Sequence, residues 1–219
     1  LEQLTALEVA AKYQLGVAFD GDADLCLLVD EQGHTIDGDK IMAVCGKALR
    51  QQGKLTNNAV VATVMSNLGL HEFCRNEQIE LVCTAVGDRH VLEKMLECDY
   101  AIGGEQSGHM IFREYATTGD GELTALQFLK ALKASGKSAS ELAGCCAQYP
   151  QELVNVALPH TPGEKERVMN APGLWQAVRE KEAELGGEGR ILIRPSGTEA
   201  QIAENFHSLY RINIVVHIA

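Results

Sequence analysis

The sequence predicts an α/β protein: a mixed, mostly parallel sheet domain with flanking helices, followed by a smaller α+β C-terminal domain. Three observations carry this expectation. Apolar, β-branched runs at residues 59–65, 79–84 and 100–103 alternate with helical stretches. Helices of about 10–14 residues between strands imply βαβ units and a largely parallel sheet. The alternation stops after Gly136, and Tyr149-Pro150 marks a break, so a domain boundary is expected within residues 136–150.

The elements follow in order. Leu1, Leu4, Leu7 and Ala11 recur at helical spacing, which predicts a helix over residues 1–14 ended by Gly16. Strands are expected at 15–19 and 25–29, with a turn at 31–34 and a helix over 39–52. Ser66 and Asn67 are placed to cap a helix over 68–77, Asp88 one over 89–97, and Asp120 one over 122–134. A loop at 104–109 and a short strand at 110–112 lie between the last two. Beyond the boundary we expect a short helix at 138–147 and a strand at 151–158. A long polar helix over 164–185, a turn at Gly186, Gly187 and Gly189, and a strand at 190–193 follow.

Net charge is −11, so the surface gives no electrostatic reason to approach nucleic acid or an anionic membrane. An anionic substrate would need a local cluster of donors. The seven cysteines, Cys26, Cys45, Cys74, Cys83, Cys98, Cys145 and Cys146, are odd in number and irregular in spacing. They read as reduced, buried thiols of a cytoplasmic protein, not as a disulfide frame or zinc site. No apolar run reaches the roughly 18 residues of a membrane span. The acidic, amphipathic start is unlike a signal peptide, and without an initiator Met the chain is expected to begin inside a longer protein.

Three loops carry chemistry. In FDGDAD, at residues 19–24, Asp20, Asp22 and Asp24 alternate. Three like charges this close repel unless a cation neutralises them, and hard oxygen donors suit Mg²⁺ or Ca²⁺. A solvated acidic turn is the plain alternative. An EF-hand would use Glu31 at position 12, but it would need Gly where Leu25 stands. A phosphatase-like Asp nucleophile would need Gly-Thr after Asp22, where Ala23-Asp24 stands. In GGEQSGHM, at 103–110, an extended loop would put Glu105, Ser107 and His109 on one face. That set suits sugar hydroxyls, with the imidazole available for proton transfer. A hairpin turn bonding its own backbone is the alternative. In RPSGTE, at 194–199, Arg194 offers a planar fork for phosphate, Ser196 and Thr198 add hydroxyls, and Gly197 lets backbone N–H groups approach an anion.

The stretches FDGDAD, VGDRHVLEKM, GGEQSGH, TTGDGELTALQ and RPSGTE occur in the order found in the α-D-phosphohexomutases, and the chain resembles that family. The resemblance covers the end of the family's domain 2 (1–34), domain 3 (35–136) and part of domain 4 (148–219). Residues 85–95 and 117–127 are most similar to the branch that interconverts glucosamine 6-phosphate and glucosamine 1-phosphate. Mannose or glucose phosphates, or a non-catalytic cation- or sugar-phosphate-binding remnant, remain alternatives. The family works through a phosphoserine and a bisphosphate intermediate beside Mg²⁺. The resemblance therefore implies Asp20, Asp22 and Asp24 as metal ligands, and Glu105 and Ser107 on sugar hydroxyls. It implies His109 as a catalytic proton acceptor and Arg194, Ser196, Gly197 and Thr198 on the non-reacting phosphate. Arg89 would assist at the substrate or serve the helix start. Homo-oligomerisation is an expectation for the full-length protein only.

The sequence departs from the family in three places. The catalytic serine of the family lies far upstream of the acidic loop, whereas here 19 residues precede Asp20, so the chain alone is expected to be inactive. Leu25 replaces the Arg that usually closes the acidic loop. After Glu199, Ala200 replaces a Pro and the tail no longer follows the family pattern, as a shifted or truncated reading frame would produce. The usual last strand is therefore not expected.

Overall fold

The computed structural model describes residues 1–159, 161–186, 189–195 and 201–208; for Ala10, Leu153, Asn155 and residues 201–208 the backbone alone is described. The chain divides into two compact units, Leu1–Ala147 and Gln148–Ala219.

The first unit opens with α1 (Glu2–Ala11), then β1 (Leu15–Phe19), β2 (Cys26–Asp30) and β3 (Thr35–Ile36), an antiparallel sheet in the order β1-β2-β3. Lys12, in the left-handed region at φ 57°, ends α1. Gly16 instead lies inside β1. A Cβ there would come within 3.0 Å of the Glu8 side chain and 3.2 Å of Leu4, so the glycine serves helix-on-strand packing rather than helix termination.

The larger sheet has the order β5-β4-β6-β7, from β4 (Ala59–Thr63), β5 (Glu80–Thr84), β6 (Ile102–Gly104) and β7 (Met110–Phe112). Its β4–β5 and β4–β6 pairs are parallel and the β6–β7 hairpin antiparallel, the mixed, mostly parallel arrangement expected. Every residue of β4 is buried, as a strand covered on both faces must be. The helices are α2 (Gly38–Gln51), α3 (Leu68–Glu77), α4 (Asp88–Glu97), α5 (Gly121–Ser135) and α6 (Ala139–Ala143). Asp37 caps α2 through Lys40 N–H, Asn67 caps α3 through Gly69 N–H, and Asp120 caps α5 through Leu123 N–H. Asp88 makes no such cap. It is the first residue of α4, and Gly87 takes the cap position at φ 124°, where a side chain is disfavoured. One core joins Leu28, Ile36, Ile41, Met42, Leu70, Met110 and Phe128, so the small sheet, the large sheet and α2, α3 and α5 share a single apolar interior.

The second unit contains β8 (Gln151–Ala157), α7 (Glu164–Met169), α8 (Pro172–Leu185), β9 (Gly189–Pro195) and β10 (Gln201–Ser208). The expected single helix over 164–185 is two. Ala171 precedes Pro172 and adopts ψ 120°, because the proline ring excludes the helical region from the residue before it. A last strand does form: β10 lies between β8 and β9, antiparallel to both. Alternation of residue type was too weak in AQIAENFHS to announce it. Among the described residues, no helix is long and apolar enough to cross a membrane. The turn residue Gly187 lies outside the described residues.

None of the seven cysteines is in a disulfide. Cys26, Cys45, Cys74 and Cys146 are buried as expected, but Cys98 and Cys145 are only half-buried and Cys83 is exposed, because it faces outward from edge strand β5.

Candidate metal and sugar-phosphate site

The acidic loop joins β1 to β2. One carboxylate oxygen from each of Asp20, Asp22 and Asp24 lies within 4.8 Å of the others. Asp20 Oδ1 accepts a hydrogen bond from Leu25 N–H at 3.1 Å, which closes the loop on itself and lowers the Asp20 pKa. Asp24 is held above its ordinary value, by partial burial first and the charge of Asp22 second, with His109 opposing. Ala23 sits in the left-handed region at φ 61°. Three convergent, mutually repelling carboxylates suit a hard divalent cation. The flanks are strands, and the Glu31 carboxylate instead accepts hydrogen bonds from Ser140 N–H and Oγ–H, which removes the EF-hand alternative.

The loop is stitched to the 105–109 turn. Cys26 N–H donates to Gly108 O at 3.1 Å, and Leu25 and His109 form an antiparallel bridge. Gly108 is required there: its φ is +104°, and a Cβ would lie 2.3 Å from Cys26 O. The His109 ring is buried, with Nε2 3.5 Å from Asp24 Oδ2.

Residues 105–108 are not extended as expected. Gly108 N–H donates to Glu105 O at 3.0 Å, so they form a tight turn between β6 and β7. In a turn, alternate side chains no longer share a face. The Glu105 carboxylate accepts from Gly87 N–H at 3.0 Å, at the start of α4, while the His109 imidazole addresses Asp24. Ser107 is exposed. Arg89 is 81% exposed and pairs with Glu93 at 2.8 Å along α4. Arg194 lies on β9 of the second unit, with its Nε buried and unpaired among the described residues. Ser196, Gly197, Thr198 and the start of the divergent tail lie outside the described residues.

Several residues that build the site carried no chemical signal of their own. Asp37 caps α2 with one oxygen and accepts from Gln106 Nε2 with the other, at 3.3 Å. Gly121 N–H donates to Ala23 O at 2.9 Å, fixing the acidic loop to the start of α5. The sequence cue was a Gly-Asp pair directly before or at a helix start, in Asp37-Gly38-Asp39 and Gly119-Asp120-Gly121.

This two-unit fold, with an acidic loop laid on a glycine-rich turn, has known counterparts. A family model described as phosphoglucomutase/phosphomannomutase, alpha/beta/alpha domain III, matches residues 37–149. A second, described as phosphoglucomutase/phosphomannomutase, C-terminal domain, matches residues 153–206. The chain belongs to the phosphoglucomutase/phosphomannomutase family.

Among its relatives, phosphoglucosamine mutase of Leuconostoc mesenteroides is 52% identical over 186 residues, covering 85% of this chain and 40% of that protein. Phosphoglucosamine mutase of Acetivibrio thermocellus is 51% identical over 199 residues, covering 91% and 44%. The chain thus spans about two-fifths of the length of these relatives. Aspergillus fumigatus N-acetylphosphoglucosamine mutase, solved in complex with GlcNAc-6P and magnesium, superposes with a TM-score of 0.70 at 22% identity, over 89% of this chain and 45% of that one. A Burkholderia thailandensis protein of the phosphoglucomutase/phosphomannomutase family gives 0.73 at 18%, over 96% and 46%. At these identities the superpositions show the fold.

Proposed function

We propose that the protein is the metal- and sugar-holding part of a phosphohexomutase that interconverts glucosamine 6-phosphate and glucosamine 1-phosphate. The observation that carries this is the acidic loop hydrogen-bonded onto the glycine-rich turn, which puts Asp24 of the cluster Asp20, Asp22 and Asp24 at 3.5 Å from His109. The relatives at about 50% identity carry the name phosphoglucosamine mutase, which supports an amino sugar over mannose or glucose.

In this reading Asp20, Asp22 and Asp24 would hold Mg²⁺, which when bound would supply positive charge against that of a phosphoryl group. Glu105, anchored by Gly87 N–H, presents its other carboxylate oxygen to sugar hydroxyls, with Ser107 beside it in the same turn. His109 stands at the edge of the metal loop, near the hydroxyl that exchanges its proton. Arg89 gives up Glu93 to reach substrate. Arg194 grips the non-reacting phosphate with Ser196, Gly197 and Thr198, the local cluster of donors that a chain of net charge −11 needs for an anionic sugar. In this reading no serine of the chain is assigned the phosphoserine role. We read the reaction as cytoplasmic, which cysteines outside any disulfide and a sugar-phosphate substrate support.

Calorimetric titration of the purified chain tests the reading. Mg²⁺ is expected to bind, and glucosamine 6-phosphate to bind more tightly than mannose 6-phosphate. Asp22→Asn removes the first signal and Glu105→Gln weakens the second. Undiminished Mg²⁺ binding in Asp22→Asn, or an equal response to both sugars, overturns it. Turnover of glucosamine 6-phosphate by the chain alone would show that the donor is not elsewhere.

A further inference from the structure

Gly119 is buried directly against the His109 imidazole. A Cβ added there would lie 2.3 Å from His109 Nε2, 2.5 Å from Cδ2 and 2.6 Å from Cε1. Its φ is not in the left-handed region, so the backbone does not itself call for glycine. The volume that a side chain would fill belongs to the ring. The ring has little room to retreat: it is 5% exposed, and Nδ1 is enclosed without a hydrogen-bond partner among the described residues. The atom that a methyl group would strike is the one facing Asp24 at 3.5 Å. Two residues on, Gly121 N–H holds Ala23 O.

We infer that Gly119 is a positioning residue of the acidic loop: it is glycine so that the His109 ring can occupy its side-chain space and present Nε2 to Asp24. The segment 117–121 then grips the loop twice, through Gly121 on the Ala23 carbonyl and through Gly119 and His109 on the Asp24 carboxylate. The bearing on the metal rests on the function proposed above. The packing relation between Gly119 and His109 does not.

The test is a double-mutant cycle with Gly119→Ala, His109→Ala and the pair, read in two ways: thermal unfolding without metal, and Mg²⁺ affinity by calorimetry. Gly119→Ala is expected to lower the unfolding midpoint by about 3 °C or more, as overpacking does in a chain of this length. It is also expected to weaken Mg²⁺ binding by about tenfold. In the His109→Ala background, with the ring gone, the same substitution should change neither reading. Should Gly119→Ala fail to fold, recovery of the fold in the double variant supports the inference and failure of both overturns it. An equal loss in both backgrounds overturns it, because Gly119 would then serve the chain path and not the ring. If the wild-type chain takes no Mg²⁺, the proposed function falls and the metal claim with it, while the metal-free cycle still decides the packing claim.

Discussion

Gly38 N–H donates to Gln106 O at 3.0 Å, and a Cβ on Gly38 would lie 1.9 Å from Glu105 O. The start of α2 is therefore in main-chain contact with the turn that carries Glu105. Two effects oppose each other in Gly38→Ala. Helix propensity favours alanine by at most about 1 kcal/mol. The clash is with a main-chain oxygen that no rotamer can move, and overpacking costs about 1–3 kcal/mol. The clash wins. Gly38→Ala is expected to lower the urea midpoint and to weaken glucosamine 6-phosphate binding. A variant as stable as wild type, with unchanged sugar affinity, would show that the turn is not seated on α2.

Asp22→Asn should separate stability from metal affinity. Without a cation, the charge of Asp22 works against that of Asp24 and helps, after burial, to hold the Asp24 pKa up. Removing that charge is expected to leave the metal-free chain as stable as wild type or slightly more so, while Mg²⁺ affinity falls by more than about tenfold for the lost ligand. Loss of metal-free stability in this variant would mean that Asp22 has a structural partner and that the three carboxylates are not kept for a cation.

Much of the larger sheet was legible because its signals are local. Asn67 and Asp120 sit immediately before helical periodicity, and each caps the helix it precedes. The acidic loop was legible as a cluster, since carboxylates at alternate positions of a short loop stay close together, and one oxygen from each lies within 4.8 Å of the others. What the sequence hid depends on residues distant in the chain. Glu31 counts correctly for an EF-hand and is taken instead by Ser140, 109 positions away. Gly16 looks like a helix stop but is a contact surface for Leu4 and Glu8. The 105–109 turn reads as an extended ladder until Gly108 is seen to fold back on Glu105. β10 has little alternation, and its place between two strands is a tertiary fact.

Thiol chemistry gives a check on burial that needs no ligand. Cys83 is exposed on β5, whereas Cys26, Cys45 and Cys74 are buried and their thiols are pushed up to about 12 by desolvation. With an aromatic disulfide reagent at pH 8, Cys83 is expected to react first, ahead of the partly buried Cys98 and Cys145. The other four should react only on unfolding. Cys83→Ser should remove the fast phase. A fast phase that survives this substitution would contradict the outward placement of Cys83.

Glu31 links the small sheet to α6. Its carboxylate accepts from Ser140 N–H at 3.2 Å and from the Ser140 hydroxyl. Burial pushes the Glu31 pKa up, but the Ser140 hydrogen bonds outweigh it, and the net shift is downward from the ordinary value. A carboxylate with a lowered folded-state pKa stabilises the fold above its unfolded-state pKa. That stabilisation is lost as pH falls through the folded value. Glu31→Gln should therefore be less stable than wild type at neutral pH. The gap should close on acidification below about pH 4.3, the usual glutamate value. The difference between the two proteins is the quantity to follow, because Asp20, Glu93, Glu114 and Glu164 also have lowered pKa values and titrate in both. Urea unfolding from pH 7 to pH 3 measures it. A gap that stays constant across that range would show that Ser140 does not favour the ionised form of Glu31.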